Sequence, residues 1–143
     1  MLLEIVCVLA IIGLLAAILL PRLSNGTSRS RLQAYAIETA SLLMSDRSAA
    51  VRRRAQVSTT VDAKGRAFRS GATGRVLRVP GDVVVDAVLP VLCGGRQTFS
   101  TIDFLPSGLS CGGTIVLTRK GAGYDIRVNW LTGGIEIVSH TVL

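Results

Sequence analysis

The sequence predicts an α+β chain. A long N-terminal helix, transmembrane in its first half, amphipathic in its second and kinked near Pro21, packs on an antiparallel β-sandwich-like domain. Three observations predict it. Residues 5–20 read IVCVLAIIGLLAAILL, with no charge and no strongly polar group. Apolar side chains then recur at helical spacing through residue 54. From residue 57 onward the period drops to two, and turn signals interrupt it at short intervals. These shifts divide the chain into residues 1–22, a membrane or assembly helix; 23–54, an amphipathic stem helix; and 55–143, a β-rich domain.

The first element is argued from solvent. A helix buried in a soluble domain keeps a polar stripe, and this one has none. With Leu2 and Leu3 the run comes close to the roughly 20 apolar residues that span a bilayer core. A cleavable secretory signal is the competing reading. No basic stretch precedes the run, however, and Ala16-Ala17 is followed by more apolar residues, so the segment reads as retained. Glu4 is the exception to its apolar character. It is either an acid held at the interface near a helix N-terminus or a charge that seeks a partner in assembly.

Pro21 removes a helical hydrogen bond and sets the expected kink. Ser24-Asn25-Gly26-Thr27-Ser28 loosens the chain or caps a second helical section. Leu32, Ala36, Ile37, Ala40, Leu43, Met44 and Val51 form a stripe from about Ser28 to Arg54 that should lie against the sheet. Arg52-Arg53-Arg54 closes this helix, where cations meet the C-terminal dipole favourably.

The strands are expected at 57–61, 75–79, 83–88, 98–105, 114–118, 124–130 and 135–138. Turn signals at Lys64-Gly65, Pro80-Gly81, Pro106-Ser107-Gly108, Gly121-Ala122-Gly123 and Gly133-Gly134 separate them. Ile126, Val128 and Trp130 alternate with Arg127 and Asn129, as on a half-buried strand.

Composition narrows the function. Once the apolar segment is subtracted, 143 residues leave one globular domain, small enough for a covalent staple to help. The net charge of +7 comes mainly from arginine. It fits nucleic acid, anionic lipid or an acidic protein partner, and equally an arginine-rich genome decorating solvated faces. Of the three cysteines, Cys7 reads as a small hydrophobe in the apolar run. Cys93 and Cys111 each adjoin a Gly-Gly pair and are either disulfide-bonded, in an oxidising compartment, or two separate buried thiols. A bond would close a loop worth about 3 kcal/mol in the chain-entropy model. No Cys-x-x-Cys pair is present and His140 is the single histidine, which argues against a zinc site. The same lone histidine argues against a hydrolase. The scattered acids Asp82, Asp86, Asp103, Asp125 and Glu136 form no calcium loop, and Gly71-Ala72-Thr73-Gly74 lacks the lysine of a phosphate-binding loop. No cofactor is expected.

Leu2-Leu3-Glu4-Ile5, the run from Val8 to Ala17 and Pro21-Arg22-Leu23 resemble the N-terminus of type IV pilins and pseudopilins. The resemblance implies a pilin-like fold and a role for Glu4 in neutralising the N-terminal amine of a neighbouring subunit. It also implies a leader removed by a prepilin peptidase and a methylated aromatic N-terminus. Neither the leader nor its aromatic is present, and Met1 stands about one residue inside the expected mature start, so the start codon is expected upstream. Phe104-Leu105-Pro106-Ser107-Gly108, Gly113-Thr114-Ile115-Val116-Leu117 and Val128-Asn129-Trp130-Leu131-Thr132-Gly133 resemble signatures of the GspH/FimT domain.

The family resemblance implies a minor pseudopilin of type II secretion. It would be single-pass in a bacterial inner membrane, with its C-terminal domain periplasmic and other pilin-like subunits and membrane lipid as partners. The alternative it implies is a FimT-like type IV minor pilin that binds DNA. For that reading Arg52, Arg53, Arg54, Arg66, Arg69, Arg75 and Arg78 form the candidate anionic-partner patch, with Phe68 as the one stacking aromatic.

Overall fold

The structure is a computed structural model that describes residues 1–19 and 26–142. Two helices, α1 (Leu2–Leu19) and α2 (Arg29–Arg53), precede the strands. The strands are β1 (Val57–Asp62), β2 (Ala67–Arg69), β3 (Val76–Arg78), β4 (Val84–Val88), β5 (Leu92–Cys93), β6 (Arg96–Gln97), β7 (Thr101–Phe104), β8 (Gly113–Arg119), β9 (Ala122–Val128) and β10 (Ile135–Thr141).

The expected long kinked transmembrane helix is not what the described residues show. Gly26 has φ 121°, and Ser28 is extended at φ −73°, ψ 165°, so helical geometry is lost before α2 begins. The Ser28 hydroxyl accepts the Arg31 N–H at 3.2 Å and starts α2 as a separately capped helix. Pro21 lies outside the described residues. Among the described residues, no helix is long and apolar enough to cross a membrane. The 18 residues of α1 rise roughly 27 Å. Its side chains from Leu2 to Ile18 are all exposed.

Two four-stranded antiparallel sheets pack with α2. One has the order β3-β2-β1-β7, the other β10-β9-β8-β4, and β5-β6 form a separate ribbon. Cross-strand rows build the inner faces. Val61, Phe68 and Leu77 stand side by side in the first sheet, and Ala87, Ile115 and Ile126 in the second, with Ile137 exposed at the end of that row. Side chains opposite one another in this way are the unit of sheet stabilisation. Leu32, Ala36, Ala40, Leu43 and Ala50 of α2 join both faces in one buried cluster with Phe104, Ile115 and Ile126. Alanines on α2 allow the helix to approach the strands closely.

The buried arc of α2 differs from the expected stripe. Ile37, Met44 and Val51 are 52%, 50% and 46% exposed. Each follows a buried residue (Ala36, Leu43 and Ala50) by one position, which turns it about 100° around the helix. Trp130 also departs from expectation, at 69% exposed. Asn129 Oδ1 accepts the N–H groups of Leu131 and Thr132 at 2.8 and 3.2 Å, so the chain turns before Trp130 can continue the strand. β2, β5 and β6 were not expected. With three, two and two residues they show no periodicity.

Asp46, fully buried on α2, fastens the helix to the first sheet. Its carboxylate accepts Thr59 Oγ1 at 2.6 Å, Ser70 Oγ at 2.5 Å, and the N–H groups of Gly71 and Ala72 at 2.9 and 3.3 Å. Charge-assisted bonds of this kind are the stronger ones, and they satisfy a group that would otherwise be costly to bury. Gly71 fits because a Cβ there would strike the Ser58 carbonyl oxygen. Asp46→Ala strands these donors and should lower stability by at least about 3 kcal/mol. Urea unfolding of the detergent-solubilised chain would read the loss as a lower midpoint at unchanged slope.

Candidate assembly surface and signature loops

Two loops carrying the sequence signatures meet beside α2. In the first, the Gly108 N–H donates to the Leu105 carbonyl at 2.9 Å, closing the turn through Pro106. In the second, the Asn129 N–H donates to Gly134 and the Gly133 N–H to Asn129, both at 2.8 Å, closing the β9–β10 hairpin. Arg47 of α2 joins them. Its Nε donates to the Gly108 carbonyl at 2.8 Å and one Nη to the Thr132 carbonyl at 3.3 Å.

Gly133 sits at φ 69°, and a Cβ on it would collide with the Gly108 carbonyl oxygen. That contact leaves room only for glycine. The third signature is a packing device as well. Ile115 and Leu117 are fully buried, and a Cβ at Gly113 would stand 3.0 Å from Ile102 Cγ1.

Cys93 and Cys111 are disulfide-bonded, with Cα atoms 5.6 Å apart, which ties the β5–β6 ribbon to the start of β8. Cys7 is a free, exposed thiol. Glu4 lies exposed in the first turn of α1 and has no ion-pair partner among the described residues.

The seven arginines of the candidate patch are only partly gathered. The β2–β3 hairpin turns Phe68 and Leu77 inward, which leaves Arg69 and Arg78 on its outer face. Arg66 and Arg75 immediately precede the two strands. Arg53 reaches the same hairpin loop by donating to the Ala72 carbonyl at 3.2 Å. Arg52 and Arg54 are exposed, and among the described residues neither makes a side-chain hydrogen bond or ion pair to the hairpin. Among the described residues none of the seven forms a salt bridge. Phe68, the expected stacking aromatic, is fully buried and unavailable to a base.

The contacts of several polar residues escaped the sequence reading. Asp82 accepts the Thr27 N–H at 2.7 Å and the Thr27 hydroxyl at 2.8 Å, and Arg119 Nε lies 2.7 Å from it. The Thr27 bonds, with the Arg119 charge, hold its carboxyl below the usual carboxylate range. Asp125 pairs with Arg127 at 2.8 Å and with His140 at 3.1 Å. Asp103 is buried with no hydrogen-bond partner for its carboxylate among the described residues. Among the described residues no three His, Cys, Asp or Glu side chains converge on a metal-sized site.

Residues 36–133 match the sequence model of the family described as type II transport protein GspH. The chain belongs to the GspH family. Solved structures share its fold. The minor pseudopilin EpsH from the type 2 secretion system of Vibrio cholerae superposes with a TM-score of 0.60 at 12% identity, covering 75% of this chain and 95% of EpsH. The type IV minor pilin FimU of Pseudomonas aeruginosa gives 0.57 at 20% identity, covering 78% of this chain and 91% of FimU. A second crystal form of FimU gives 0.54 at 18% identity, with 74% and 91% covered. No curated protein sequence matches significantly. The three signatures lie within the matched span, and here they are the loops and strand that Arg47 and Ile102 pack against.

Replacing Arg47 by Ala should cost about 1–2 kcal/mol, since it frees two carbonyls that water can partly reclaim. Gly133→Ala should cost more, at least about 2 kcal/mol, because the backbone itself must move. Thermal unfolding of both variants beside the parent would test the order.

Proposed function

We propose that this GspH-family chain is a minor pseudopilin, a structural subunit of the periplasmic filament of type II protein secretion. On this reading α1 is held in the inner membrane, the domain is periplasmic, and a prepilin peptidase removes a leader upstream of Met1. The observation that carries the proposal is the apolar surface left outside the core. The side chains of α1 from Leu2 to Ile18 are exposed, and α2 continues with Ile37, Met44 and Val51 exposed at seven-residue spacing. Exposed Ser41 and Ser48 lie between them. A small-and-apolar seam of this period fits another helix running alongside, and an exposed apolar surface of this extent marks an interaction site. On this reading Glu4, in the first turn of α1, meets the N-terminal amine of the next subunit. The Cys93–Cys111 bond suits an oxidising compartment.

The test is complementation of a deletion strain. Parent chain should restore secretion, whereas Ile37→Asp with Met44→Asp should abolish it while leaving the unfolding temperature within about 2 °C, because both side chains are already half exposed. Secretion restored by that variant would remove α2 from the assembly surface.

The gathering of Arg53, Arg66, Arg69, Arg75 and Arg78 around one hairpin, with no ion pairs among the described residues, favours a second reading, a minor pilin that contacts DNA phosphates. Binding to duplex DNA by the purified chain should then fall about 10²-fold or more between low and physiological salt, and Arg69→Ala with Arg78→Ala should flatten that slope. Salt-independent or absent binding would dismiss it.

A further inference from the structure

The end of the domain from which α1 departs carries a cationic rim that the assembly surface does not use. Thr27, Ser28, Arg29 and Leu32 on one side and Arg119, Lys120, Gly121 and Ala122 on the other enclose a cavity of about 210 Å³. Leu32 is buried, and Arg29, Arg31 and Lys120 are exposed. Among the described residues none of these three cations has an ion-pair partner. The one nearby acid, Asp82, is committed to Thr27 and to Arg119. That pairing also lays the Arg119 guanidinium against Gly26, where a Cβ would collide with it. The rim is therefore built and held in place, and its outer charges have no ion-pair partner among the described residues.

Its position follows from the chain. Seven peptide steps separate Leu19 from Gly26, which limits Gly26, where the rim begins, to no more than about 25 Å from the end of α1. A tether this short lets the cations reach an anionic bilayer, whose surface potential acts only within about a Debye length, roughly 8–10 Å at physiological salt.

We propose that this rim docks on the anionic phospholipid headgroups of the membrane that holds α1. A lipid phosphate enters between Arg29 and Lys120, and Arg31 and Arg119 add to the field. The inference rests on the reading of α1 as membrane-embedded. Docking holds the domain upright on its own membrane before assembly and is released when the subunit leaves the bilayer.

The test uses the full chain reconstituted into vesicles of phosphatidylcholine, alone or with phosphatidylglycerol added. Flotation reports insertion of α1, and hydrogen exchange at the Ser28–Ser30 and Lys120–Gly121 amides reports docking. Each cation near an anionic surface is worth roughly fivefold in binding, so exchange at these amides should slow by at least about fivefold in the anionic vesicles alone. Added salt should reverse the slowing, as should Arg29→Glu with Lys120→Glu. Equal exchange in the two vesicles, or slowing that survives salt, would overturn the docking and leave α1 in the membrane. A chain that floats with neither vesicle would overturn the membrane reading and the docking with it. The salt arm uses the unaltered chain, so the test does not depend on how the double variant folds.

Discussion

Asp46 is a buried carboxylate with no ion-pair partner among the described residues. Burying such a charge is tolerable only because two hydroxyls and two backbone N–H groups from β1 and the β2–β3 loop converge on it. The bond set fixes α2 in azimuth as well as position, since rotating the helix would leave the carboxylate without donors. With α2 set in this way, Leu32, Ala36, Leu43 and Ala50 face the strands and Ile37, Met44 and Val51 face out. The side of the helix available to neighbours is thus decided in the interior.

Arg47, the next residue, binds the turn between β7 and β8, which links the two sheets, and the hairpin loop of the second. It holds both by their carbonyl oxygens. Adjacent positions on one helix therefore pin it at two places, one to the first sheet through a buried acid and one to the inter-sheet turn and the β9–β10 hairpin through a base. The glycines of the signature loops fit the same geometry. Gly133 is excluded from carrying a side chain by Gly108, and Gly108 in turn lies against Val51 and Arg47.

Much of this was legible in the sequence. The extent of α2 followed from its apolar spacing and the closing arginines, and β8 to β10 from alternation and glycine turns. Cys93 and Cys111 could be read as a pair or as separate thiols, and the fold resolves them as bonded. What stayed hidden was non-local. Asp46, Arg47 and Asp82 find partners 13 to 85 residues away, and an isolated acid or arginine on a helix reads as a solvated face. Leu32, Ala36, Ala40 and Leu43 of the expected stripe are buried, while Ile37, Met44 and Val51 fall one position off it, because apolar residues on α2 fit either of two neighbouring arcs. Trp130 extended an alternation that the Asn129 side chain had already ended. The arginine run at the end of α2 read as a single patch, yet only Arg53 bends back onto the hairpin.

The order in which strands join sheets has a consequence for how the chain reaches this state. β1 to β3 begin the first sheet and β4 begins the second, but β7 returns to complete the first before β8 supplies the partner β4 lacks. Neither sheet can close until chain belonging to the other has been laid down, and the Cys93–Cys111 bond spans the excursion on which β7 depends. No half of the domain is an autonomous folding unit. Contacts so distant in sequence pay loop-closure entropy before they return any energy, which slows folding. A chain that emerges progressively from its N-terminal side would leave β4 unpaired until β8 had followed it.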